Sequence, residues 1–204
     1  MSLHQTLKNM REYANRTLEG LKPVSSYLSQ RQALVDWLSG VGESLNISNQ
    51  AVHHAVLILD IYASKIGQEF DIILAALGSL LACSKFVQMK YPSADSLNSA
   101  TQNDYSFEDI VGMEASLLQT IDWQLLQYPV FDFINTFIEH GCVFESDRIL
   151  QSPQSDGDGR INQTHCVTLK RYSDFFTDFC IQEVALIRVD PLILSCAILA
   201  SARK

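Results

Sequence analysis

Helix breakers are scarce in this chain, with 9 Gly and 5 Pro in 204 residues, about 7% against a usual ~12%. So few of them favour long helices. Basic residues are in deficit too: 15 Lys plus Arg face 23 Asp plus Glu, a formal charge of −8. A general nucleic-acid binder is excluded on that ground, because neutralising phosphates takes a cationic excess. Cysteine is sparse and odd in number, five with no Cys-x-x-Cys, which fits reduced core thiols better than a disulfide framework. The most apolar uncharged stretches, Ile72 to Ser84 and Pro191 to Ala202, fall far short of the ~20 residues that a membrane-spanning helix needs. The opening MSLHQTLKNMREYANR has no apolar h-region, so no secretory signal is expected and the chain is expected to be soluble and intracellular. On that expectation the glycosylation patterns at Asn15, Asn46 and Asn162 carry no weight. No segment alternates apolar with polar residues, so no sheet is expected.

What remains is a globular composition, 47% apolar and 19% charged. At about 150 residues per domain, this length suggests one large domain or two small compact units. Leu3, Leu7, Met10, Ala14, Leu18 and Leu21 lie at spacings of three and four, which predicts an amphipathic helix ending before Pro23. A second stripe runs from about Gln30 to Leu45 through Leu34, Trp37, Leu38 and Val41, and Ser48 can cap a third helix reaching Ser64. The most apolar helix, from about Phe70 to Met89, must sit among others because it lacks a polar side. Ser93 can cap a short turn, and Ser106 to Asp109 form a capping box opening a helix to about Thr120. Pro129, at a first helical position, opens a helix that Gly141 ends. The polar run QSPQSDGDGR at 151–160 is the best loop; a helix from about Cys166 to Arg188 follows, and Asp190-Pro191 starts a last apolar one. Leu81 to Lys85 is echoed by Leu199 to Lys204, so the second half is expected to copy the first and to stop after its third helix of five, as a fragment would.

Charged residues stand at four places where a helical wheel wants hydrophobes: Arg31, Asp60, Lys85 and Glu114. Buried charge is costly unless paired. Arg31 and Asp60 either neutralise each other across two packed helices or snorkel to water separately. Lys85 and Glu114 each align with a core-facing stripe near a helix end or groove. Taken singly, Lys85 complements the carbonyl end of its helix and Glu114 is a solvated charge.

These residues together resemble a cyclin box. Gln30-Arg31-Gln32-Ala33-Leu34-Val35-Asp36-Trp37-Leu38 with Val41-Gly42-Glu43 is similar to the cyclin signature helix, most like that of mitotic A- and B-type cyclins. The family's hallmark Arg, Asp, Leu, Lys and Glu match Arg31, Asp60, Leu74, Lys85 and Glu114, and the spacing of 29 residues recurs from Arg31 to Asp60 and from Lys85 to Glu114. The resemblance implies an all-α chain. It implies a five-helix cyclin fold followed by a second, apparently truncated cyclin-like repeat: residues 1–22 an N-terminal helix, 23–128 the box, and 129–204 the partial second fold with a polar loop at 145–165. It also implies a regulatory subunit, not an enzyme, that binds and activates a cyclin-dependent protein kinase in cell-cycle control, in the nucleus or cytoplasm. Kinase contact is implied for Lys85, Glu114, Phe86, Leu118, Trp123 and Leu125, with Arg31 and Asp60 as a structural salt bridge. Val87 and Gln88 stand where the family usually carries two Glu, so part of the charged contact is missing. A substrate-docking groove for an Arg-x-Leu peptide would comprise Gln30, Ala33, Leu34, Trp37, Ile72 and Ile73, but the family's leading Met is Gln30 here and no acid for the peptide's Arg is evident.

Other signals are weaker. Asp156 to Ile161 is similar to the middle of a calcium loop, but the first and twelfth ligand positions fall on Gln154 and His165. His140, Cys142, His165 and Cys166 have no zinc-knuckle spacing, and His53-His54 lacks another close ligand. No cofactor and no metal is expected. No phosphate loop, dinucleotide fingerprint or nucleophile elbow occurs, although a helical hydrolase with scattered carboxylates stays open. A cyclin-fold adaptor of the transcription machinery, or a scaffold that binds a kinase without activating it, is the alternative function.

Overall fold

The computed structural model describes residues 2–141 and 163–203, and among these every regular element is a helix. In chain order they are α1 (Leu3–Gly20), α2 (Ser25–Ser44), α3 (Asn49–Ile66), α4 (Ile72–Val87), α5 (Ala94–Asn98), α6 (Phe107–Thr120), α7 (Val130–Glu139), α8 (Gln163–Gln182) and α9 (Pro191–Ala202), with 3₁₀ turns at Ser99–Thr101 and Val184–Leu186. No described helix is long and apolar enough to cross a membrane.

Local chemistry sets most of the helix starts. The Ser48 hydroxyl accepts the Ala51 N–H, Asp71 that of Leu74 and Ser93 that of Ser96. Ser106 and Asp109 form the reciprocal capping box, satisfying donors that a helix start leaves open. Gly67, at φ 65°, closes α3 in the left-handed conformation that glycine adopts without steric cost.

Several boundaries differ from the sequence reading. The second helix begins at Ser25 instead of about Gln30, because Pro23 and an extended Val24 deliver the chain straight into it and Tyr27 is already buried. Asp71 caps α4, so Phe70 stays outside it, and an extended Gln88 ends it before Met89. Pro129 is the residue before α7 and not within it. The helix expected to reach Arg188 ends at Gln182, where an extended Glu183 leads into the 3₁₀ turn. Of the expected loop at 145–165, residues 163–165 belong to α8. Cys142 and the calcium-loop-like run lie outside the described residues.

Helix α4 is the hub. Ala75 through Ser84 are all buried, packed mainly by α3 and α6, with smaller contacts from α2 and α5. Leu38, Ile58, Leu77, Leu80, Leu97, Ile110 and Leu117 are fully buried around it, each worth ~1.5–3 kcal/mol relative to exposure. Smaller apolar clusters join α1 to α7 through Met10, Ala14 and Phe133, and α7 to α9 through Ile134, Ile198 and Leu199.

Polar side chains tie these parts together. The His53 Nε2 lies 2.8 Å from an Asp178 oxygen on α8, and the His54 Nε2 2.8 Å from an Asp132 oxygen on α7. The two histidines therefore pin α7 and α8 to α3, each with a close carboxylate that the sequence did not reveal. No set of three or more metal-ligating side chains is arranged for a metal ion among the described residues.

Asp190 anchors α1. Its carboxylate accepts from Arg11 Nε at 2.6 Å and Asn15 Nδ2 at 3.0 Å, while also capping α9 through the Leu192 and Ile193 N–H groups. Burial pushes its pKa up, but the hydrogen bonds from Asn15, Arg11 and the two N–H groups outweigh it and hold the carboxyl below its ordinary value. A depressed carboxylate stabilises the fold above its unfolded pKa and loses that contribution as pH falls through the folded one. Asp190→Ala is expected to cost ~0.5–2 kcal/mol, to speed hydrogen exchange in α1, and to flatten the loss of stability in that acidic window. Unchanged exchange in α1 would contradict the anchor.

Candidate functional site

Arg31 and Asp60 meet between α2 and α3 as a buried fork: Nε lies 2.8 Å from Oδ1 and Nη2 2.9 Å from Oδ2. The Tyr27 hydroxyl donates to Oδ1 at 2.7 Å, and burial, with Asp60 beside it, pushes that phenol well above its ordinary pKa. The remaining arm, Nη1, donates to the Ile181 carbonyl at 2.6 Å near the end of α8. All polar arms of the fork are directed inward, so this pair is architecture.

Lys85 and Glu114 are arranged otherwise. Nζ donates to both Glu114 oxygens, at 2.8 and 2.7 Å. The glutamate side chain is only 11% exposed and the lysine 39%. Glu114 is thus no solvated charge, and Lys85 is more than a helix-end cation. The spacing of α4 and α6 creates the pair: a Cβ on Gly78 would stand 2.9 Å from Met113 Cγ and 3.0 Å from the Glu114 nitrogen. That close approach brings the acid within reach of Lys85 in the last turn of α4. The pair retains lone pairs on Glu114 and N–H bonds on Lys85, so it can offer an acceptor and a donor to another backbone.

The apolar residues that follow each partner in the chain differ in exposure. Phe86 is 49% exposed and Trp123 is 66% exposed. Trp123 follows Asp122 in a pair of left-handed residues, φ 55° and 59°, uncommon for such side chains. The Trp123 N–H donates to the Leu118 carbonyl at 2.8 Å, and Lys65 holds Asp122 at 2.6 Å, which fixes the turn. Leu118 is buried and Leu125 half-buried against the core, so neither presents much surface. Leu126, 52% exposed, supplies apolar surface instead; nothing in the irregular segment after α6 marks it in the sequence. Leu74, the remaining hallmark residue, is half-buried and packs on the core.

The structure brings Gln30, Ala33, Leu34, Trp37, Ile72 and Ile73 to one groove of about 660 Å³ between α2 and the start of α4. Glu69 and Asp71 line it too, so carboxylates border the groove although the sequence suggested none.

Residues 4–126 match the family described as the cyclin N-terminal domain. The chain belongs to the cyclin family. Cyclin-A3-3 of Arabidopsis thaliana is 25% identical to this cyclin over 133 residues, 65% of this chain and 39% of its own. G2/mitotic-specific cyclin-B1 of Caenorhabditis elegans is 28% identical over 109 residues, 53% of this chain and 29% of its own. This cyclin therefore spans well under half the length of these curated relatives. The X-ray structure of a viral cyclin from herpesvirus saimiri aligns at a TM-score of 0.75 and 14% identity, over 98% of this chain and 80% of that one. A chain of the yeast RNA Pol II CTD kinase CTDK-1 complex aligns at 0.61 and 12% identity, over 96% and 60%. At such identities the two structures show the fold, which is the all-helical cyclin fold.

Proposed function

We propose that this cyclin is a regulatory, non-catalytic subunit that binds and activates a cyclin-dependent protein kinase in control of the cell cycle, acting in the nucleus or cytoplasm. The observation that carries this reading is the Lys85–Glu114 pair, which reaches solvent through Lys85, with exposed Phe86 next to Lys85 in the chain and exposed Trp123 in the turn after α6. In the family the matching Lys and Glu contact kinase backbone beside its mobile C-helix. Here Lys85 is the donor and Glu114 the acceptor, while Phe86, Trp123, Leu125 and the edge of Leu118 supply apolar contact. A ligand shifts an equilibrium only by its differential affinity for the two states, so this surface favours the active helix position and the chemistry stays in the kinase. Residues 129–204 are, on this reading, a partial second copy of the box. The groove lined by Trp37, Ile72 and Ile73 supports a further contact with Arg-x-Leu peptides, since Glu69 and Asp71 can receive the peptide's Arg.

Phosphorylation by purified cyclin-dependent kinases, measured with and without the chain, tests the proposal. A rise of roughly 10- to 100-fold is expected, about 1.4–2.7 kcal/mol in barrier. Binding without a rise would favour the scaffold reading, and a response confined to transcription kinases would favour the transcription adaptor. No binding to any of them would overturn the proposal.

The double variant Lys85→Ala/Glu114→Ala is expected to weaken kinase binding by ~100-fold or more while leaving helical circular dichroism intact. Removing both charges together leaves neither one buried and unpaired. Unchanged binding would refute this placement of the interface.

A further inference from the structure

A second groove opens beside Phe86. Met10 of α1, Phe86 and Val87 at the end of α4, and Leu126 and Tyr128 after α6 give it apolar walls, and α7 contributes Asp132 and Glu139; its volume is about 430 Å³. Among the described residues, no Lys or Arg pairs with the carboxylates of the α7 wall. Asp132 is held at Oδ1 by the Gln50 amide, 2.9 Å, and at Oδ2 by the His54 imidazole, 2.8 Å. Glu139 is exposed in the last turn of α7, a turn without a basic residue. It has no ion-pair partner among the described residues. A carboxylate there adds to the negative potential of the helix's own carbonyl end, an arrangement that a cation relieves.

The groove thus has an apolar side, Phe86, Val87 and Leu126, and a polar side that Gln50, His54, Asn135 and Thr136 complete with the two acids; it is complementary to a large apolar side chain next to a Lys or Arg, whose aliphatic stem also suits the apolar side. Phe86 lines this groove and also belongs to the proposed kinase surface, so the two are continuous. Resting on the kinase reading above, we infer that the groove receives a second segment of the bound kinase, distinct from its mobile helix. In that segment a bulky apolar residue stands beside a basic one: the first packs on Phe86, Leu126 and Met10, and the second points at Glu139. This contact adds charge complementarity to a site where Val87 and Gln88 offer none.

The test uses the full chain and the purified kinase that it binds, with rates measured at low and high salt. Glu139→Lys is expected to slow association ~3- to 10-fold at low salt, with the difference gone by ~0.5 M salt. Leu126→Ser is expected to speed dissociation ~5- to 20-fold. Both side chains are exposed, so folding should be unaffected, and Asp36→Lys, which makes the same net-charge change at an exposed position on α2, should slow association less than Glu139→Lys and leave dissociation alone. A photo-crosslinking residue at 139 should couple to a kinase peptide that contains an apolar–basic pair. Parental rates for both variants, or coupling to a peptide without Lys or Arg, would overturn the inference. If these variants weaken binding while the Lys85/Glu114 double variant does not, the groove stands and the placement of the main interface fails. If no kinase binds, the kinase reading fails and this inference falls with it.

Discussion

Asp60→Ala is expected to remove ~3–5 kcal/mol of folding stability, the cost of leaving one partner of a buried ion pair uncompensated. For a domain whose whole stability is ~5–15 kcal/mol, that brings unfolding close to working conditions. The loss is large because Asp60 answers several groups at once: two guanidinium nitrogens of Arg31 and the Tyr27 hydroxyl, at 2.7 to 2.9 Å. Without it a buried cation keeps only the Ile181 carbonyl, and a buried phenol loses its acceptor. Urea unfolding would show a lower midpoint with little change in slope. The double variant Arg31→Leu/Asp60→Leu should lie closer to the parent than either single one, because replacing a whole buried pair by apolar groups is often near neutral. Single variants that cost less than ~1 kcal/mol would mean that the pair is more hydrated than its geometry indicates.

The second large effect is expected at Gly78. Gly78→Val places a branched side chain where even a Cβ meets Met113 Cγ at 2.9 Å and the Glu114 nitrogen at 3.0 Å. The second of these is backbone and cannot swing aside, so α6 must move away from α4. Overpacking of this kind costs ~1–3 kcal/mol or more, and the displacement carries Glu114 away from Lys85. Kinase binding should therefore fall more than the stability change alone explains, by ~10-fold or more if the pair is a hot spot. Gly112→Ala is the matched control, since no atom lies within 4 Å of a Cβ there and replacing a helical glycine gains ~0.5–1 kcal/mol. Binding by Gly78→Val equal to that of Gly112→Ala would separate the α4–α6 spacing from function.

Features governed by neighbours in the chain were legible in the sequence. Ser48, the Ser106–Asp109 box and Asp190 before Pro191 all announce helix starts because caps act over three or four residues. Arg31 and Asp60 were legible for another reason: charges inside apolar stripes need partners, and few were on offer. The relation of Lys85 to Glu114 came only from family resemblance, since taken one by one these residues looked ordinary. What the sequence hid depends on distant packing. Nothing local says that His53 and His54 find carboxylates 125 and 78 residues away, or that Arg31 also reaches Ile181. A helical glycine such as Gly78 looks like a defect until the neighbouring helix is in place. Glu69 and Asp71 border the α2–α4 groove because of how the turn after Gly67 is folded.

The closed geometry of Lys85 and Glu114, nitrogen to oxygen at 2.7 to 2.8 Å, shapes how a partner meets this surface. From a distance the two charges cancel, and what is left is a dipole, whose field fades faster than that of a lone ion. Long-range guidance then belongs to the surplus of eight negative charges over the whole chain. The pair itself acts within a few ångströms, where it distinguishes one orientation of an approaching peptide group from its reverse.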